Sequence, residues 1–342
     1  MNTFKWILAL LVSFTAAEAV AKPKTLLKIA TLAPESSNWV KSLRNIDREV
    51  REATDDRVGL KIYPGGVQGD EKVVLRKIRI GQLHGGGFGG PGSRQIFPDL
   101  LALEMPFLFN DYGEIEHVLG AMDDFYRQGY AKSGYAFLGW ADIGFVHILS
   151  QQPIRTVEDI RRQKVWQLTD EPITAVLFRL AGVKSVPLTI PDVLLGLQTN
   201  LVDVVYASPA AAIVLQWFTR VKYLTRLPIN YTLGAFLVDE RAMRKIATED
   251  RAVLTAIARR HMAKLSHQSR RDNKEALAVL KTHGIEIIDA SPEDIETFKK
   301  LVIATEAKLA GTAFSNRSHQ LLRRHLREYR QAQAPCCGSC TG

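Results

Sequence analysis

The chain has 342 residues, 46% of them hydrophobic, enough for two ordinary domains with real cores. Forty-five basic against 36 acidic residues leave a formal charge of +9. The cations of "RKIR", "RRDNK" and "LLRRHLREYR" are dispersed and alternate with acids, so they read as solvated helix faces and exclude a nucleic-acid footprint. Cysteine is confined to Cys336, Cys337 and Cys340, so no disulfide staples the body of the chain.

The opening "MNTFKWILALLVSFTAAEAVAKP" has a cation at Lys5, an apolar run from Trp6 to Phe14 and small residues at Ala19 and Ala21. It reads as a cleavable secretory signal over residues 1–21. The apolar run is about half the ~20 residues that span a bilayer, and no cysteine stands nearby to take a lipid. A periplasmic protein without an anchor of its own is expected.

Alternation of strands and helices follows. "LLKIATLA" is a strand, and "SSNWVKSLRNIDREVREATDD" a helix with Trp39, Leu43, Ile46 and Val50 on one face and Ser36 or Ser37 as cap. "RVGLKIYPGG" is a strand and "GDEKVVLRKIRIGQL" a helix. "EIEHVLGAMDDFYRQGY" carries Ile115, Leu119 and Met122 inward. "AFLGWADIGFVHILS" reads as two strands around a turn. The pattern then restarts with "KVWQL", "PITAVLFRLAG", "VKSVPL", "PDVLLGLQTN" and "LVDVVYASP". From Asp239 to about Thr282 the chain reads as one helical stretch, too long for one layer and therefore crossing both domains. "GIEIIDA" is a further strand, and Ser291 caps a C-terminal helix with acids in its first turn. An α/β fold with parallel strands and a hinge between two domains is expected.

The segment "HGGGFGGPG" matches dinucleotide spacing at Gly85, Gly87 and Gly90. Such a turn must open onto a helix N-terminus, and Pro91 and Gly92 follow instead. The glycines, Gly89 among them, read as backbone passing close to the other domain or to a ligand. The eight histidines show no pairing at i, i+3 or i+4, and there is no "HExxH" and no Gly-x-Ser-x-Gly elbow. No catalytic residues, metal site or cofactor are expected. Aromatics gather at strand ends and the loops after them: Trp39, Phe88, Trp140, Phe145, Trp166, Tyr206 and Trp217. In open α/β sheets those ends face the ligand crevice, so these residues are the candidate ligand wall.

The runs "IATLAPESSNW", "LKIYPGG" with "IRIGQLHGG", "LLALEMPFLF" and "LLGLQTNLVDVVYASP" resemble the solute-binding subunits of TRAP (tripartite ATP-independent periplasmic) transporters, of the dicarboxylate-binding type. The similarity spans about Leu26 to Phe298. It implies a two-domain periplasmic clamshell with two hinge strands and a long helix crossing both lobes. Such a protein closes on a small molecule and delivers it to membrane permease subunits. The boundaries expected are lobe I over 24–148 plus 233–260, lobe II over 149–232 plus 261–300, a C-terminal helical segment over 301–333 and a Cys-rich tail over 334–342.

Most relatives carry an arginine for the substrate carboxylate two positions beyond a lysine on the strand after the hinge. Matching "QKVWQ" to that pattern puts Lys164 on the lysine and Trp166 on the arginine. Relatives often have Asn before the later proline, where this chain has Ser208. Arg94 and Arg179 are the candidate replacement cations. Because an arginine fork gives way to an indole, a mainly apolar or aromatic ligand is expected. A family subset that has lost the same arginine, some of it associated with periplasmic TPR proteins, fits this reading. The alternatives are an organic-acid ligand held by another cation or by helix N-termini, and a periplasmic enzyme or scaffold.

Overall fold

The computed structural model describes residues 24–333; the signal segment and the cysteine tail lie outside the described residues. The described strands are β1 (Thr25–Thr31), β2 (Val58–Tyr63), β3 (Gly85–Phe88), β4 (Tyr135–Ser150), β5 (Val165–Leu168), β6 (Ser185–Leu188), β7 (Val204–Ala207), β8 (Tyr223–Asp239) and β9 (Glu286–Ile288). They form one mixed sheet in the order β2-β1-β3-β8-β4-β7-β5-β6, with β9 beside β8. In lobe I, β1 runs parallel to β2 and β3, and β3 pairs antiparallel with the end of β8. In lobe II, β5 runs parallel to β6 and β7, and the start of β8 takes β9. The β4–β8 antiparallel ribbon belongs to both lobes and is the hinge.

The expected pair of strands in "AFLGWADIGFVHILS" is therefore one strand of 16 residues. Gly139 and Gly144 hold positive φ, which sequence reading takes for a turn. Both sit at register shifts in the ribbon instead, between Phe137 and Gly139 and between Asp142 and Gly144. A Cβ on Gly144 would lie 2.4 Å from the Asn273 amide nitrogen, so the bulge admits a side chain from the crossing helix.

That helix, Thr248–Thr282, has 35 residues and at 1.5 Å per residue is about 50 Å long. Leu254, Ile257, Ala258, Met262 and Leu265 pack with Phe236 and Val238 in lobe I, and Leu280 packs with Leu149 and Leu224 in lobe II. The expected continuous helix from Asp239 is interrupted, because Glu240–Met243 forms a separate short helix. Asn273 ties helix to hinge: its Nδ2 donates to Ile143 O (2.8 Å) and its Oδ1 accepts from Ala210 N (3.0 Å). Asn273→Ala strands both backbone groups and is expected to lower unfolding free energy by about 1–3 kcal/mol, checked by urea denaturation.

The C-terminal helices bind the lobes further. Pro292–Leu309 lies on Pro172–Ala181 of lobe II, while its Val302 and Leu309 join the lobe I core. The boundary expected at residue 301 falls inside this helix. Asn316–Gln333 buries Leu322 and Leu326 and packs on Tyr112–Ala121 of lobe I.

Candidate ligand-binding cleft

A cleft of about 640 Å³ opens between the lobes where the ends of β1, β3, β5 and β7 meet the hinge and the crossing helix. This is the crevice at the carboxyl ends of strands that the alternating pattern points to.

On the lobe I side, helix Asn38–Ala53 starts at Ser37, whose hydroxyl accepts from Val40 N. It buries Val40, Leu43, Ile46 and Val50. Trp39, expected on that inner face, packs at the edge of the same core and also lines the cleft, while Val40 is fully buried. The Trp39 ring lies on bare backbone: a Cβ at Gly234 would come within 2.5 Å of it. On the lobe II side, Trp166 is only 3% exposed. It stacks on Tyr206 with centroids 4.6 Å apart and 24° between planes, and meets Trp217 edge-on at 5.2 Å. Its Nε1 donates to Leu188 O at 3.0 Å, and Leu168 N donates to the Tyr206 hydroxyl at 3.1 Å. The three rings are thus locked to lobe II, with one side on the cleft. Ser208 is buried and caps helix Pro209–Val214, its hydroxyl accepting from Ala211 N at 3.3 Å.

Six of the nine candidate residues line the cleft: Trp39, Gly89, Trp166, Tyr206, Ser208 and Trp217. Phe88, Trp140 and Phe145 do not. Phe88 follows Gly87 on β3, and alternation turns it into the lobe I core. Trp140 packs on Phe137, Tyr126 and Tyr130. Phe145 lies beyond the Gly144 bulge, against Tyr112 and Tyr231.

Arg94 was a candidate cation, but the carboxylates that surround it on the polar floor were not foreseen. Glu71, Arg94 and Glu104 of lobe I and Glu171 of lobe II all line the cleft and are all buried. Arg94 Nη1 donates to Glu104 Oε2 at 2.7 Å, and its Nη2 lies 3.9 Å from Glu171 Oε1. Glu171 caps its own helix, accepting from Ile173 N (3.0 Å) and Thr174 N (2.6 Å). Glu71 accepts from Gly89 N and Gly92 N, each at 2.5 Å. The expectation that no helix follows the glycines is corrected: Gly90–Ile96 is helical, with Pro91 in its first turn, where a proline needs no N–H partner. Glu71 occupies the amides of Gly89 and Gly92 at the start of this helix, which closes those two donors to a phosphate. Gly90 is required by close approach, since a Cβ would lie 1.9 Å from Glu104 Oε1.

Three carboxylates around one guanidinium leave an excess of negative charge. Burial pushes the Glu104 carboxyl up to about 7, with Arg94 pulling it down and Glu171 and Glu71 pushing it further up. Burial also raises Glu71, against the pull of the Gly89 and Gly92 amides. The other candidate cation, Arg179, is exposed on its helix, away from the cleft, and Lys164, the lysine of the family pattern, is exposed and pairs with Asp203 at 3.5 Å. At the mouth, Lys72 of lobe I meets Asp170 of lobe II at 2.7 Å, so the lobes already touch. Sequence reading had no signal for the carboxylates: Glu71 and Glu171 sit at helix starts, where capping explains acids.

The family of bacterial extracellular solute-binding proteins, family 7 (DctP), matches residues 29–310. A Haemophilus influenzae protein is 24% identical over 310 residues, covering 87% of this chain and 91% of its own. The sialic acid-binding periplasmic protein SiaP of Vibrio cholerae is 21% identical over 310 residues, covering 88% and 92%. The sugar acid binding protein DctPAm of Advenella mimigardefordensis, solved with galactonate, superimposes with TM-score 0.83 at 18% identity, over 90% of this chain and 99% of that one. Among the described residues no helix is long and apolar enough to cross a membrane. With a two-lobed fold, a hinge ribbon and a cleft at the strand ends, the chain belongs to the DctP family of TRAP-transporter solute-binding proteins, which bind solutes and are not enzymes.

Proposed function

We propose that this solute-binding protein captures a mainly apolar or aromatic small molecule in the periplasm. Proteins of this family hold a small molecule and work with membrane permease subunits. The finer reading rests on one observation: the arginine that lines the cleft, Arg94, is spent on Glu104 and faces Glu171, while Trp166 stands where the family pattern puts an arginine. An anionic solute would meet the three carboxylates around Arg94, with Asp142, Asp272 and Glu275 also in the lining, and no free guanidinium. A flat apolar solute would meet the edges of Trp166, Tyr206, Trp217 and Trp39, beside Ile173 and Leu177, the mix of apolar wall and few polar groups usual for small-molecule sites. Cleavage of the signal near residue 21 and a TPR protein as an additional partner belong to the same proposal.

The relatives favour a second reading. SiaP is named for sialic acid and the Advenella protein holds galactonate, and Lys41, exposed, lines the mouth of this cleft. An organic acid would be held there.

Mass spectrometry of the organic extract of the purified mature protein separates the two. A stoichiometric apolar or aromatic compound, absent from the Trp166→Arg extract, is expected. A stoichiometric organic acid in the wild-type extract, or micromolar binding of uronates or sialic acid abolished by Lys41→Ala, overturns the apolar reading.

A further inference from the structure

Away from the cleft, two helices far apart in sequence bring two imidazoles and a carboxylate together. His117 is on Tyr112–Ala121, and His325 and Glu328 are on Asn316–Gln333. One ligand atom of each lies within 4.8 Å of the others. The i, i+3 spacing of His325 and Glu328 puts both on the helix face that meets His117.

The backbone beneath them is fixed. Arg330 Nε donates to Glu114 Oε1 at 2.6 Å, and its Nη2 to Leu108 O at 2.9 Å. Asp99 holds the start of the last helix through Ser315 N and Oγ, at 2.5 and 2.7 Å. The Tyr329 ring backs His117 at 5.1 Å, and the two imidazole centroids are 6.5 Å apart. The side chains themselves can adjust: His117 is exposed, His325 half-buried and Glu328 exposed.

We propose that His117, His325 and Glu328 form a site for a divalent transition metal of the zinc class, clamping the last described helix to lobe I. Two imidazoles and one carboxylate are the donor set that zinc, cobalt, nickel and copper prefer over calcium or magnesium. Bonds of about 2.0–2.2 Å place tetrahedral ligand atoms about 3.3 Å apart, so the three close in by small rotamer changes. Solvent fills the remaining coordination. Two pairings compete with a metal for these residues: His325 Nδ1 lies 3.1 Å from Glu328 Oε2, and Arg324 has Nη2 3.4 Å from His325 Nε2 and Nε 3.7 Å from Glu328 Oε1. It is exposed, and an exposed pair of this kind holds it with little energy.

Thiols as a class are soft-metal ligands, so the test controls for Cys336, Cys337 and Cys340 by using the full mature chain in two forms: wild type, and one with those three cysteines changed to serine. Each is titrated with cobalt(II), followed by visible absorption, and with zinc(II), followed by calorimetry. The serine form is expected to bind one equivalent with d–d absorption and no thiolate charge-transfer band. In that form His117→Ala and His325→Ala are expected to weaken binding at least tenfold, Glu328→Gln several-fold, and Arg324→Ala to tighten it. Unfolding midpoints in chelator identical to the parent keep those losses separate from misfolding. Binding that disappears with the cysteines, or that His117→Ala and His325→Ala leave unchanged, overturns the proposal.

Discussion

Trp166→Ala is expected to lower unfolding free energy by about 3–5 kcal/mol, the range for truncating a large buried aromatic, and to weaken capture of the native solute at least tenfold. The first effect follows from packing. Trp166 sits among Leu149, Val205, Ala207, Trp217 and Leu224 in the lobe II core, and its truncation empties the space between Tyr206 and Trp217 while leaving Leu188 O with only the longer bond from Thr169 N, at 3.4 Å. The second follows from position, because the same ring forms part of the cleft wall. Trp166→Phe separates the two roles: it keeps an aromatic face on Tyr206 and loses the indole hydrogen bond, worth about 0.5–1.5 kcal/mol. Urea unfolding followed by circular dichroism reads the first quantity, and calorimetry with the extracted solute reads the second. A stability loss with unchanged affinity would make Trp166 a packing residue of lobe II and remove the main support for an apolar solute.

Local chemistry made most of the fold legible in the sequence. Ser37, Asp70 and Ser291 cap the helices that follow them, and Gly182 closes helix Pro172–Ala181 in the left-handed conformation. The hinge itself was legible but its continuity as one strand was not, because Gly139 and Gly144 carry the local signature of a turn while their role is set by Met262 and Asn273, more than a hundred residues away. The same non-locality governs the cleft. Strand ends located Trp166 and Tyr206, but bulges decide which face Trp140 and Phe145 take. The Arg94 cluster is assembled from three separate segments of lobe I and one of lobe II, with Glu71 and Glu171 explicable locally as helix-start acids. The metal-type cluster joins His117 to a helix far along the chain, beyond any spacing rule.

Arg94→Met should cost about 3–5 kcal/mol at pH 8, as expected when one partner of a buried ion pair is removed and the other charges stay, and distinctly less at pH 5. The difference comes from Glu104. Its carboxyl, at about 7 in the folded protein against 4.5 for an unperturbed glutamate, is favoured neutral by the fold. A group raised in this way stabilises the protein fully below the lower value and loses that contribution as pH rises through the higher one. A difference of that size corresponds to about 3 kcal/mol, so wild-type stability should decline between pH ~4.5 and about 7 on this account. Glu114 acts in the opposite sense: burial raises it, but Arg330 and the Asn110 amide hold it below its ordinary value, so its contribution is lost only as pH falls below the usual carboxylate range. The two windows do not overlap, and Glu104→Gln should flatten the upper one alone. Urea midpoints at pH 5, 6, 7 and 8 for wild type, Glu104→Gln and Arg94→Met measure this directly. An unchanged slope in Glu104→Gln would mean that another group of the cleft carries the proton. The same protonation bears on the solute: a carboxylate ligand should gain affinity as pH falls through about 7 and the cleft sheds negative charge, whereas an apolar solute should bind equally across that range.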